Sequence, residues 1–137
     1  MEHVEFIKDN RETLAIILKK NFSTEGIMFF TPDDFSQQLA YMKRPKGYHI
    51  EPHIHNLVQR EVHYTQEVLF VRRGKVKIDF YTKDKIHLGY RVLEEGDVIL
   101  LASGGHGFTM LESAEMIEVK QGPYVGGLDK TRFEGRQ

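Results

Sequence analysis

The chain reads as all-β, a set of short antiparallel strands folded into a sandwich or barrel. Three observations predict this. Strand-sized apolar stretches are separated throughout by turns rich in Gly, Pro, Asn and Asp. Val76, Ile78 and Phe80 alternate strictly with Lys75, Lys77, Asp79 and Tyr81, the period of a strand with one buried face. Helical periodicity is confined to a short helix expected over residues 2–9 and a single turn over 33–38. Many short strands at such spacing favour a sandwich or barrel over an α/β fold.

In chain order, residues 14–18 form an apolar, partly β-branched strand, closed by a turn at Asn21 and Ser23 to Gly26. Residues 27–30 follow, ending at Thr31-Pro32-Asp33-Asp34, and 37–44 alternate loosely up to Pro45-Lys46-Gly47. Residues 48–55 are expected to be extended, with Pro52 marking an edge or bend. A hairpin then joins 67–71 to Val76, Ile78 and Phe80 across Arg72-Arg73-Gly74, a solvated tip. Ile86, Leu88, Tyr90 and Val92 alternate again, Glu94-Glu95-Gly96-Asp97 turns the chain, and Val98–Leu101 is an unbroken apolar run expected at the centre. Strands at 106–111 and 116–119 complete the series. Phe70, Phe80, Leu100, Phe108 and Ile117 are core candidates, and Tyr124 and Phe133 should anchor the glycine-rich tail.

Composition bounds the rest. A chain of 137 residues suits one domain with a proper core. Its hydrophobic share of 40% and charged share of 28% are those of a soluble globular protein. Formal net charge is −1 with the signs interspersed, which gives no footprint for nucleic acid. There are no cysteines, so a disulfide scaffold, thiolate zinc and a cysteine nucleophile are excluded. No apolar stretch approaches a membrane span and no secretory signal is apparent, so a cytoplasmic location is expected.

The chemistry concentrates in four side chains. His53 and His55, two apart, face one way if they lie on a strand. Glu67 opens an apolar run able to pair back against that strand, and His106 follows a later strand and a double glycine. Closing those strands on each other brings three imidazoles and one carboxylate together as a metal site. Imidazole and carboxylate without thiolate suit one divalent transition metal (iron, manganese, nickel or zinc). His63 and Gln66 are alternative donors in the position of Glu67. The intervening segment 56–66, with His63 and Tyr64, reads as a substrate-contacting loop. Gln38 and Tyr41 are candidate pocket groups from the preceding strand, and Gln66 lines the same mouth. Lys120, Gln121 and Tyr124 follow the last strand and could line the site. The preferred reading of Lys120 is a solvated charge at a strand end, and His87 reads as a side chain without special role.

At these residues the chain resembles the cupin superfamily. Five residues separate Gly47 from His53-x-His55, and six separate Glu67 from Gly74, as in the first cupin motif. The gap of eleven residues before Glu67 is far longer than the family's. A second motif runs from Gly96-Asp97 through Ile99-Leu100-Leu101 to Gly104, Gly105 and His106. Here Ala102 replaces the usual proline, His106 comes one residue early, and Met110 stands where an asparagine is usual. The resemblance implies a double-stranded β-helix, the jelly-roll barrel, spanning about residues 35–120, with an N-terminal strand extension (1–34) and a tail (121–137) in one domain. It implies a homodimer, with the extension covering edge strands.

The leading functional expectation is a metal-dependent small-molecule enzyme of isomerase, lyase or oxygenase type acting on a small polar substrate. A second is a metal-independent sugar-nucleotide isomerase or epimerase of polysaccharide biosynthesis, since His63 to Phe70 look like such ketoisomerases. His55 or His63 would then be the base and Tyr64 or Tyr41 the acid. A third is a non-catalytic ligand-binding or sensor barrel.

Overall fold

A computed structural model describes residues 1–135, and the expected tail's last two residues, Arg136 and Gln137, lie outside them. The fold is all-β. Ten strands are arranged in three antiparallel sheets, with one 3-10 turn at Gly126–Asp129 and no α-helix among the described residues. The strands are β1 (Val4–Asp9), β2 (Glu12–Leu18), β3 (Gly26–Phe29), β4 (Ala40–Lys43), β5 (Glu67–Arg73), β6 (Lys75–Tyr81), β7 (His87–Glu94), β8 (Val98–Leu101), β9 (Gly105–Met110) and β10 (Glu115–Lys120). A central sheet has the order β1-β2-β8-β5-β10, an outer sheet the order β7-β6-β9, and β3-β4 form a two-stranded ribbon. The sheets do not close into a barrel among the described residues.

The middle strands of the central sheet are buried on both faces, and this explains their sequence. Leu14 to Leu18 and Val98–Leu101 are unbroken apolar runs because β2 and β8 lie at the middle of that sheet. Ala15, Ile17, Leu69, Val71, Ile99 and Leu101 face the outer sheet and meet Val76, Ile78, Phe80 and Leu93. Ile16, Leu18, Val68 and Leu100 face the other way and pack with Phe22, Phe30 and Leu39 under the ribbon, with Met28 and Tyr41 at its edge. On the outer sheet β6 alternates in its first half, with Val76 and Ile78 buried and Lys75 and Lys77 partly exposed. Asp79 and Tyr81 are nonetheless buried on its outer face, where His87 and Phe133 lie against Tyr81.

Several elements differ from the sequence reading. Residues 4–9 form a strand rather than a helix, in a hairpin with β2 whose turn uses Asn10 at φ +55°. The expected N-terminal extension is thus part of the central sheet, since β2 pairs directly with β8. No helical turn forms over 33–38, where the chain makes only turns and bends, and only Ala40–Lys43 of the stretch 37–44 is strand. Residues 48–55 form no strand. They belong to one irregular loop from Arg44 to Gln66, in which Pro45 and Pro52 lack backbone donors and β4 is already paired with β3. Of the core candidates, Phe80 and Leu100 are buried, whereas Phe70, Phe108 and Ile117 are not. Phe70 and Ile117 are cross-strand partners on a part of the central sheet that the ribbon leaves uncovered. Phe133 does anchor the tail, its ring edge-on to Tyr81 at 5.1 Å, while Tyr124 is exposed. No helix among the described residues is long and apolar enough to cross a membrane.

Candidate functional site

One end of the molecule gathers polar groups between the two larger sheets. Glu67 begins β5 on the face that carries Leu69 and Val71. Lys120, the last residue of β10, is directly opposite Glu67, and Glu118 is opposite Leu69, so all three share that inner face. From the facing sheet, His106 pairs in register with the buried Phe80 and comes in on the same side. His106 Nε2 lies 3.1 Å from Glu67 Oε1. Its Nδ1 is buried and has no hydrogen-bond partner among the described residues.

The electrostatics follow from this crowding. The hydrogen bond from His106 outweighs burial and holds the Glu67 carboxyl below the usual carboxylate range. Burial, and then the charge of Glu67, push the neighbouring Glu118 carboxyl up. Two carboxylates side by side in a partly dry site resist ionising together. Burial works against the Lys120 ammonium, but Asp129 at 3.5 Å, and then Glu67 and Glu118, overcome it and raise its pKa. Burial likewise opposes the Asp129 carboxylate, and the charge of Lys120 more than offsets it, so its pKa is lowered. Asp129 sits on the 3-10 turn, which the tail lays across this end of the sheets.

The remaining sequence candidates are distributed differently. His53 and His55 are neighbours, ring centroids 5.3 Å apart, on the exposed 44–66 loop, where His53 Nδ1 contacts the Glu51 carbonyl at 2.9 Å. Strand parity does not align them, because no strand is there. Among the described residues no three His, Asp or Glu side chains are gathered as a metal group, so the pair stands apart from Glu67 and His106. His63 is exposed beside Glu61, and Tyr64 is exposed with Lys83 over its ring. Gln66 is buried as a brace, its Oε1 accepting from the Gln37 backbone while Gln37 Nε2 donates to Gln121. Gln38 donates to the Pro32 and Phe35 carbonyls and ties the loop before β4. Tyr41 packs edge-on to Phe22 at 4.9 Å, across the central sheet from the polar cluster. Gln38 and Tyr41 therefore line the ribbon side rather than this mouth.

Sequence reasoning missed Glu118, and of its two readings for Lys120 it preferred the solvated strand end over a place in the site. The signal was present as β10's alternation, but it acquires meaning only once the register with β5 is known. It missed a second polar pair as well. His87 Nε2 lies 2.8 Å from Oδ1 of the buried Asp79 on the outer face of β6, with Tyr81 against the imidazole. A surface cleft of about 340 Å³, lined in part by His3, Glu5, Lys19 and Arg91, lies at the opposite end. Its cations are already engaged, Arg91 with Glu5 and Lys19 with Asp97. Comparisons with protein-family models, curated proteins and solved structures each found no match for the chain.

Proposed function

We propose that the chain is a cupin-type jelly-roll protein that binds one divalent transition metal at the Glu67–His106 end and acts on a small polar molecule there. The observation that carries this reading is the Glu67–His106 pair at 3.1 Å, facing inward at one end of two packed sheets, with His106 Nδ1 buried and unpartnered. An ionised carboxylate beside an imidazole fits iron, manganese, nickel or zinc. Backbone conformation supports the fold assignment. Of the motif glycines, Gly47, Gly74, Gly96 and Gly104 take left-handed φ between +72° and +90°, and Gly105 does not.

Glu67 and His106 would hold the ion from the sheets, and His53 and His55 would complete the set from the loop. Eleven residues separate His55 from Glu67. An extended chain covers roughly 3.3–3.6 Å per residue, so length places no bar on that approach. Once bound, such an ion polarises a carbonyl or acidifies water. Around it, Glu118 would lie where a proton can be held, and Lys120 would present positive charge to substrate. Ligand exchange at the exposed loop would set access to the site.

The test is metal binding by purified protein stripped and reloaded with zinc, nickel, manganese or ferrous iron. One equivalent is expected, and Glu67→Ala and a His53→Ala/His55→Ala double substitution should each weaken binding by more than about 100-fold, beyond the effect typical of outer-shell partners. Affinity unchanged by both sets would sink the proposal. A metal-independent sugar-nucleotide isomerase remains the second reading, favoured by the same dyad, since Glu67 holds His106 as a histidine base is held. Stabilisation by nucleotide sugars in metal-stripped protein would select it. The uncovered strip of Phe70, Ile117 and Val119 beside edge strand β10 is where the expected second copy would dock.

A further inference from the structure

The tail carries its own carboxylate to the mouth. Asp129 Oδ2 lies 3.5 Å from Lys120 Nζ and 3.4 Å from the Thr65 hydroxyl, while Oδ1 is buried with no partner among the described residues. The Asp129 side chain is only 12% exposed, so a desolvated carboxylate has been seated on a lysine with half of its acceptor capacity unused. Charge-assisted N–H···O bonds normally close to about 2.7–2.9 Å, so this seat holds its occupant loosely. The rest of the strap is weakly held too. Tyr124, Val125 and Leu128 point to solvent, Gly126 and Gly127 precede Asp129, and Phe133 on Tyr81 is the next anchor.

We propose that Lys120 and the Thr65 hydroxyl form a carboxylate subsite beside Glu67 and His106, and that Asp129 is an intramolecular occupant displaced by the carboxylate of a small acidic ligand. The ligand class follows from the occupant, since the seat already accommodates a carboxylate. A carboxylate on Lys120 would place the atoms next to it within the cluster of Glu67, Glu118 and His106 on the same inner face. Release of Asp129 would lift the 3-10 turn and open the mouth. The subsite rests on the reading that this mouth is the ligand site, but not on the metal.

Succinate is the probe, titrated calorimetrically into protein stripped of metal and returned to chelator-free buffer, so that loss of the metal reading leaves the result intact. Removing an internal competitor restores the binding-competent fraction. Asp129→Asn should therefore bind succinate roughly two- to fivefold more tightly than the native chain, as expected for release of a weak ion pair. Lys120→Gln should lose binding by at least about tenfold and Lys120→Arg should recover much of it. Asp33→Asn, an exposed charge control in the β3–β4 loop, should match the native chain. Hydrogen exchange over residues 122–133 should accelerate when succinate binds. The proposal is overturned if no form binds succinate, if Asp129→Asn and the native chain bind equally, if Lys120→Gln binds as well as either, or if exchange in 122–133 is unchanged. Tighter binding of inorganic phosphate than of succinate overturns the carboxylate assignment.

Discussion

Asp97 should be the costliest single polar side chain to remove, and the reason is which donors it serves. It is 2% exposed, at the turn between β7 and β8. Oδ2 accepts from Lys19 Nζ and from the Glu94 backbone N–H, each at 2.8 Å, and Oδ1 accepts from the Lys20 backbone N–H at 2.9 Å. One carboxylate thereby locks the end of β2 to the turn that launches β8. Asp97→Ala strands two backbone donors, at about 1–3 kcal/mol for each one left without a partner. The Lys19 ammonium, 41% exposed, recovers water and contributes little to the loss. The expected cost is about 2–4 kcal/mol, a fall in Tm on the order of 10 °C for a chain of this size. Asp97→Asn should retain part of this, because one carbonyl oxygen remains while the amide group opposes a donor. Lys19→Met should cost about 1 kcal/mol or less. Urea unfolding at pH 7 measures all three, and a Lys19→Met loss equal to that of Asp97→Ala would refute the backbone-donor reasoning in favour of the ion pair.

Two further outcomes are expected. Gly74 has φ +87°, and a Cβ there would lie well inside contact with the Ser113 carbonyl oxygen and 2.8 Å from Ala114 Cα. Gly74→Ala should therefore destabilise by more than about 2 kcal/mol, since left-handed strain alone costs roughly 1–2 kcal/mol; a neutral result in denaturant titration would contradict the tight crossing of the β9–β10 turn. The hydrogen bonds from Arg91 hold the Glu5 carboxyl below its ordinary range, with distances of 2.6–3.0 Å. A depressed folded-state pKa stabilises above the unfolded value and is lost as pH falls through the folded one. Glu5→Gln should then cost about 0.2–1 kcal/mol at pH 7, discounted for exposure, with the difference vanishing in acid. A difference that persists at pH 2 would place the effect in packing instead.

What could be read in advance depended on whether the information was local. The unbroken run in β8 and the alternation in the first half of β6 each betray how many faces are covered, so both strands were legible. β1 was not, because Val4 and Ile7 have the i, i+3 spacing of a helix face. In the structure they enter opposite cores on the two sides of one strand, which only a doubly covered sheet permits. Glu67 and His106 were legible as partners, while alignment of His53 with His55 presupposed a strand that never forms. Lys120 looked solvated because its significance lies in Glu67, across the ladder. Phe70 and Ile117 looked like core because hydrophobicity does not report whether a layer lies above them.

The placement of β2 between β1 and β8 has a consequence for synthesis. The apolar run Leu14 to Leu18 has as its hydrogen-bonding partner Val98–Leu101, which is made much later. At about 5–20 residues per second, several seconds elapse before that partner exists. Non-local pairing of this kind also slows the search once the chain is complete. Until β8 has been made, one of the stickiest segments of the chain is protected only by the β1–β2 hairpin, which can form at once.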